Sequence, residues 1–505
     1  MTPKGPSGHH PAPRPDQPGG STRPARFTDP PHRTRRRVLS VAGTVILTVA
    51  TFAVMLVAGA VVTSRAFHQP VPASHAYPRG DTARDPSSAV EPVSADVAVR
   101  HEHPLVVAFV AGTSGTVASD LLAPYDIFAS SPAFHPYVVA AHAEPVPLEG
   151  GPALMPTHTF AQVDADPALT PDLVVVPALS KPTGLTEAAL RAWVTKKHDD
   201  GARVFGVCAG ALVLAETGML DGLDATSHWS RISALRKSRK AVHWVTGRRW
   251  VEDGSVTTTA AVSSGVPAAL HLVAELVGPG EAQRIADLHP ELGWSPRNTP
   301  VIAEDHWAVR DVRVGLNFVE PWFRPSVGIA LRDGVGELDA TSAFEVYTQS
   351  AAARTVALST EDQVRTRHGL VLLTTSSHDA PSLARIVVPG AAGVDPRLQH
   401  WADSRHLDVE PLSAEWAHGN GPRLGGGFTA ALHNLADHTG AVTASSTAKM
   451  IGYPTTDVDL QGGRTSVRTV LLAVATLTIA VLLGLAPASI TRRRRRLAVG
   501  SVTTA

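Results

Sequence analysis

The stretch from Ala202 to Met219 constrains the fold more than any other. An apolar run, Val204, Phe205 and Val207, meets Gly206-Val207-Cys208-Ala209-Gly210 and passes directly into a helical pattern of Leu212, Leu214, Ala215 and Leu220. A buried strand that turns this sharply into a helix tips the middle residue of G-x-C-x-G out of the sheet, and the flanking glycines leave room for a strained backbone. Cys208, the single cysteine in 505 residues, then sits at a helix N-terminus, where unpaired N–H groups and the helix dipole favour a thiolate. The competing reading is a small buried hydrophobe. The strand before the turn, the helix after it with its stop at Gly222, and the segment Ala225-Thr226-Ser227-His228-Trp229 favour the functional reading. A histidine downstream of the elbow can fold back beside the thiol as base or charge partner. The expectation is a partly accessible thiol of lowered pKa.

Around this turn, strand and helix signals alternate from Pro104 to Ser295. Leu105 to Val110, Tyr137 to Ala141, Asp172 to Pro177 and Arg203 to Val207 read as buried strands, and Ser119 to Ser130 and Thr186 to Lys197 as helices. Such interleaving predicts an α/β fold with a doubly wound, mostly parallel sheet. Ligands bind such sheets at the carboxyl ends of the strands, which is where Cys208 falls.

Both ends of the chain carry a different signal. Residues 38–64 contain no charge and are mostly Val, Ala, Leu and Ile, and residues 469–491 are likewise uncharged. Each stretch is long enough to span a bilayer. Arg33, Arg35, Arg36 and Arg37 precede the first and Arg492 to Arg496 come after the second, so the positive-inside rule places both termini in the cytoplasm and the rest outside. A cleaved signal peptide is the rival reading of the first stretch; its length and the long preceding tail favour an uncleaved anchor. The formal net charge of zero singles out no partner, and the arginine clusters are read as topology determinants and not as a nucleic-acid surface. With one cysteine no internal disulfide can form, so stability must come from an apolar core.

Beyond the first α/β region the sequence repeats. Pro325 to Tyr347 echoes Pro104 to Phe128, with Asp339 falling on Asp120 and Glu345 on Asp126. Ala384 to Pro389 echoes Asp172 to Pro177, and Ala430 to His433 echoes Ala268 to His271 at a shorter offset. The second copy has lost the interval that holds the elbow in the first. Without an elbow strand and helix it is expected to complete no full sheet and to pack on the first copy as an intramolecular partner.

The run from Gly201 through Gly222, with Ala225-Thr226-Ser227-His228-Trp229 and Ser263-Ser264-Gly265-Val266, resembles the ThiJ/PfpI superfamily of the class I glutamine amidotransferase-like fold. It is most similar to the amidase-like domain at the front of certain AraC-type transcriptional regulators, although no helix-turn-helix pattern comes after it. The resemblance implies a flavodoxin-like sheet, with Cys208 as nucleophile, Asp120 as the acid leaning over it, and His228 as a histidine near the thiol. Where the family often has a Gly-Gly turn supplying an oxyanion-binding N–H, this chain has Ala178-Leu179, and the N–H of Ala209 is the other candidate donor. No cofactor is implied. His243, His271, His289 and His306 lack His-x-x-x-His or cysteine-paired spacing, so the sequence gives no metal site.

These readings divide the chain into a disordered basic tail (1–37), a first transmembrane helix (38–64), a Pro-rich stalk (65–103) and the ThiJ/PfpI-like domain (104–297). A connector (298–324), the degenerate repeat (325–457), a linker (458–468), a second transmembrane helix (469–491) and a basic tail (492–505) complete it. The expected function is that of a membrane-anchored extracytoplasmic protein that binds or senses a small molecule at Cys208. The alternative is a cysteine-dependent hydrolase, hydratase or lyase acting on a small carbonyl, amide or isocyanide-like substrate.

Overall fold

The computed structural model describes residues 31–66 and 103–454, with breaks at 290–293, 296, 320–323, 391–392 and 413–425, and isolated positions beyond 454. The N-terminal tail up to residue 30, the stalk at 67–102 and, apart from scattered positions, the second expected span at 469–491 lie outside the described residues. The first expected span falls within helix α1 (Pro31–Ala66), whose segment Ile46–Thr63 is long and apolar enough to cross a membrane. Among the described residues it is the one helix of that kind, so the structure represents one of the two expected spans.

The first α/β region contains β1 (Leu105–Val110), β2 (Phe134–Ala140), β3 (Val146–Glu149), β4 (Ala153–Met155), β5 (His158–Thr159), β6 (Leu173–Val176), β7 (Arg203–Gly206), β8 (Trp250–Asp253) and β9 (Val256–Thr259). Seven of these form a sheet in the order β8-β9-β7-β6-β1-β2-β5. Every neighbouring pair is parallel except the β8–β9 edge hairpin, a feature the sequence reading did not anticipate. Side chains alternate between faces. Val107, Phe109, Val175 and Phe205 join one core with α2 (Ala118–Ala129), α5 (Gly265–Leu276) and α6 (Pro279–Leu288). Ala108, Val110, Val174 and Val204 join another with α3 (Ala188–Asp199) and α4 (Gly210–Thr217). Helices thus cover both faces, as a doubly wound sheet requires.

The repeat supplies β10 (Ser326–Ala330), β11 (Arg354–Ser359), β12 (Gln363–Arg365), β13 (Val371–Leu373), β14 (Thr375–Ser376), β15 (Arg385–Pro389) and β16 (Val409–Leu412), with helices α7 (Glu337–Ser350), α8 (Gly426–Thr439) and α9 (Ala441–Met450). Its sheet, β14-β11-β10-β15-β16, is parallel throughout and repeats the order β5-β2-β1-β6-β7. The expectation that no strand fills the elbow position is therefore corrected. β16 pairs beside β15 as β7 pairs beside β6, because any extended segment can satisfy the open backbone edge of β15. Residues 413–425, directly after β16, are outside the described residues.

The two copies share backbone as well as core. β4 pairs antiparallel with β13, with Leu154 opposite Leu372. A hairpin from each copy therefore joins one five-stranded sheet, β12-β13-β4-β3 and the short strand Thr116–Val117. α2 packs against α7, and a single apolar cluster runs through Leu121, Phe128, Phe344, Tyr347 and Leu432.

Candidate functional site

The elbow has the backbone its sequence requires. Cys208 takes a φ of 56°, a left-handed conformation rare for a residue with a Cβ. Gly210 is obligatory for close approach, since a Cβ there would lie 2.0 Å from the Val176 carbonyl oxygen at the end of β6. The strained turn is held from three sides. The Cys208 N–H donates to Thr259 Oγ1 (2.8 Å), the Ser227 hydroxyl donates to the Cys208 carbonyl (3.2 Å), and the Val207 N–H donates to the Val176 carbonyl (2.9 Å). A strained residue fixed by its surroundings in this way is characteristic of a functional position.

Asp120, in the first turn of α2, is completely buried and lies against the Cys208 thiol. Burial, and then the charge of Glu345, push its carboxyl well above the usual range, although the Ala178 N–H donates to its Oδ2 at 3.0 Å. Glu345 reaches the site from α7 of the second copy. It is buried, accepts from the Ser119 hydroxyl at 2.6 Å, and is pushed by burial up to about 7. Glu149, at the end of β3, adds a third carboxylate and accepts from the Ser180 hydroxyl.

These acids overturn the expected character of the thiol. Cys208 is 5% exposed, not partly accessible. Burial, followed by the charge of Asp120, raises the thiol well above its ordinary value of 9.0, and the hydrogen bond from the Ala209 N–H offsets only part of this. A helix N-terminus stabilises a thiolate by a fraction of a charge, whereas the loss of hydration in a fully buried site opposes it more strongly. The resting arrangement is a neutral thiol beside a carboxyl that favours its proton.

The other expected residues are placed differently. His228 Nε2 meets the Met450 carbonyl at 2.7 Å and Nδ1 meets the Ser230 hydroxyl at 2.8 Å, so both nitrogens are engaged away from the sulfur. Burial lowers its pKa to about 4, which keeps it neutral. Within the same motif it is Ser227 that touches the elbow. The Ala178 N–H is spent on Asp120, and Leu179 forms an isolated antiparallel bridge with Thr116. The Ala209 N–H is directed at the sulfur. Sequence reasoning missed Thr259, Glu149 and the role of Glu345. The alignment of Glu345 with Asp126 was the one signal that marked it. An open cleft of about 570 Å³ lies elsewhere, between Val266, Leu270 and Trp294 of the first copy and Phe428 and Tyr453 of the second, and does not include Cys208.

Residues 106–275 match the model of the DJ-1/PfpI family. Isonitrile hydratase of Pseudomonas putida is 34% identical over 167 residues, which is 33% of this chain and 70% of that protein. The HTH-type transcriptional regulator CdhR of Pseudomonas aeruginosa is 34% identical over 143 residues, or 28% of this chain, and the match spans 42% of the regulator's length. A crystal structure of a ThiJ/PfpI family protein from Pseudomonas syringae aligns at 26% identity and a TM-score of 0.34, covering 42% of this chain and 82% of that one.

Proposed function

From the premise that the chain belongs to the DJ-1/PfpI family, we propose that it is a membrane-anchored receptor that binds a small electrophilic or polar molecule at Cys208 without turning it over. The observation that carries this reading is the company of the thiol. Cys208 is strained, buried and faced by Asp120 and Glu345, while His228 and the Ala178 N–H, which a catalytic cycle would use, are committed to other partners. Such a site can hold a ligand against the sulfur and donate a proton from Asp120, while the histidine of the motif is engaged elsewhere. Anchoring is supported by α1, where Ile46, Val49, Val54 and Val57 stand exposed, and by the arginines on the distal side of each apolar stretch. In this reading both termini are cytoplasmic and both α/β copies lie outside. An active cytoplasmic-type reporter fused near Ala352 would invert that topology.

The second reading is a hydratase or related lyase. The acid that favours its proton beside an elbow cysteine supports it, as does the similarity to isonitrile hydratase. The purified chain incubated with a panel of isonitriles and small carbonyl compounds separates the two. Saturable stabilisation or a mass adduct dependent on Cys208, with no accumulating product, is the expected outcome. Multiple turnovers abolished by Cys208→Ser would establish the enzyme instead.

A further inference from the structure

Across the α2–α7 contact from Cys208 lies a second buried cluster whose residues come from four separated parts of the chain. Asp126 is in the last part of α2, His289 caps α6, Glu337 opens α7, and His368 sits in the turn between β12 and β13. Asp126, Glu337 and His368 each offer one donor atom, all within 4.8 Å of one another. We infer that Asp126, Glu337, His368 and His289 form a binding site for a divalent transition-metal ion, with the donor set and size preference of zinc, that clamps the two copies together.

Three observations carry the inference. The first is that each carboxylate divides its oxygens between the protein and the cluster. Asp126 Oδ2 accepts from the Leu338 N–H at 2.9 Å, and Glu337 Oε1 accepts from the Thr366 hydroxyl at 2.5 Å and the His368 N–H at 2.9 Å. Asp126 Oδ1 and Glu337 Oε2 are left for the cluster. Outer hydrogen bonds of this kind fix the orientation of metal-ligating carboxylates. The second is that Asp126 Oδ1 is fully buried and makes no hydrogen bond of good geometry, its polar neighbours being only the two imidazoles of the cluster.

The third is spacing. Donor atoms at zinc bond lengths of about 2.0–2.2 Å in a tetrahedron stand roughly 3.3–3.6 Å apart. The separations from His368 Nδ1 are 3.3 Å to Asp126 Oδ1 and 2.9 Å to Glu337 Oε2, and His289 Nε2 stands 3.9 Å from Asp126 Oδ1. The two carboxylates are matched in number to the charge of one divalent cation. His368 is 14% exposed at its side chain, which gives an ion a way in. The surface cluster Glu252, His271 and Glu275 lacks this character, because Arg203 already pairs with both of its carboxylates.

The test is metal binding by the purified full-length chain after treatment with a chelator. Cobalt(II), titrated against a weak chromophoric chelator, should bind with one equivalent at this site, show the ligand-field bands of a four-coordinate nitrogen and oxygen set, and be displaced by zinc. His368→Ala and Asp126→Asn should each weaken binding roughly tenfold or more, and His271→Ala should leave it unchanged. Zinc should raise the melting temperature of the parent chain but not of His368→Ala. His289→Ala serves as a further variant should Asp126→Asn not fold without metal. Absence of the cobalt bands, or bands that persist in His368→Ala and His289→Ala, would overturn the site and leave an ion-paired histidine and carboxylate cluster. Loss of the bands in His271→Ala alone would do the same.

Discussion

Asp120 and Asp339 occupy the same place in the two copies, one turn into the helix after the first strand, yet their surroundings differ in almost every respect. Asp120 is completely buried against a thiol, takes the N–H of Ala178, and is held well above its usual pKa. The Asp339 side chain is 27% exposed and lies 3.8 Å from the Arg367 guanidinium. After β6 stands Ala178; after β15 stands Gly390, whose φ is 71° and whose missing Cβ would lie 2.7 Å from Asp339 Oδ2. The same acid on the same scaffold is a fully buried group held above its usual pKa in one copy and a partly exposed side chain near an arginine in the other. In the first copy the elbow after β7 brings Cys208 against the acid; after β16, α8 is the next described element. A motif residue thus acquires its chemistry from neighbours that a repeat can keep or lose.

The largest expected effect tests the elbow itself. Gly210→Ala places a methyl group 2.0 Å from the Val176 carbonyl and should cost about 3 kcal/mol or more in chemical denaturation. Gly390→Ala meets the Asp339 side chain, with Oδ2 at 2.7 Å, and no backbone atom, at a strained φ, and should cost about 1 kcal/mol. Equal costs would mean that the two turns are equally constrained and would break the comparison.

Glu345 gives the next effect. Its pKa rises from 4.5 to about 7 on folding, so the folded state binds the extra proton between those values. Stability from this group is fully present below about 4.5 and lost as pH rises through about 7, a change on the order of 3 kcal/mol. Denaturation midpoints should fall between pH 5 and pH 8, and Glu345→Gln should flatten that slope. A slope unchanged by the substitution would remove Glu345 from the site.

Reactivity sharpens the comparison further. Iodoacetamide should alkylate folded Cys208 slowly, with an inflection above the ordinary 9.0, and Asp120→Asn should move the inflection down by removing a charge that raises it. Asp339→Asn should leave it where it is. A fast reaction near neutral pH in the parent chain would restore the low-pKa thiol expected from the elbow alone. Smallest of all, Asp339→Asn should change stability by about 0.5 kcal/mol, as the loss of a partly exposed ion pair does.

Much of the architecture was legible in the sequence because it depends on local pattern. Buried apolar runs and the glycines of the elbow predicted the strands, the helices and a strained backbone at Cys208, with boundaries shifted by a few residues: the helix read at Ser119 to Ser130 forms at Ala118–Ala129, and the helix after the elbow stops at Gly218, in a left-handed cap, and not at the expected Gly222. The β8–β9 edge and the shared hairpin sheet were not legible, since short strands take their partners from the surrounding fold and not from their own pattern. At the site, Cys208 and Asp120 were found from sequence, and they meet as expected.

His228 shows why the rest was not. It lies in the right motif, but the Met450 carbonyl, brought from the second copy, claims its Nε2. Glu345 and Glu337 come from that copy too, and no spacing within either copy could bring them to Asp120 and Asp126. The sequence by itself determined two α/β units, an elbow and an apolar N-terminal helix, because these depend on the period of hydrophobicity and the steric freedom of glycine. Only the tertiary structure decided the surroundings that push the thiol's pKa up and the composition of both buried clusters. Desolvation and Coulomb interaction depend on distance through space, and that distance is set when α2 packs on α7.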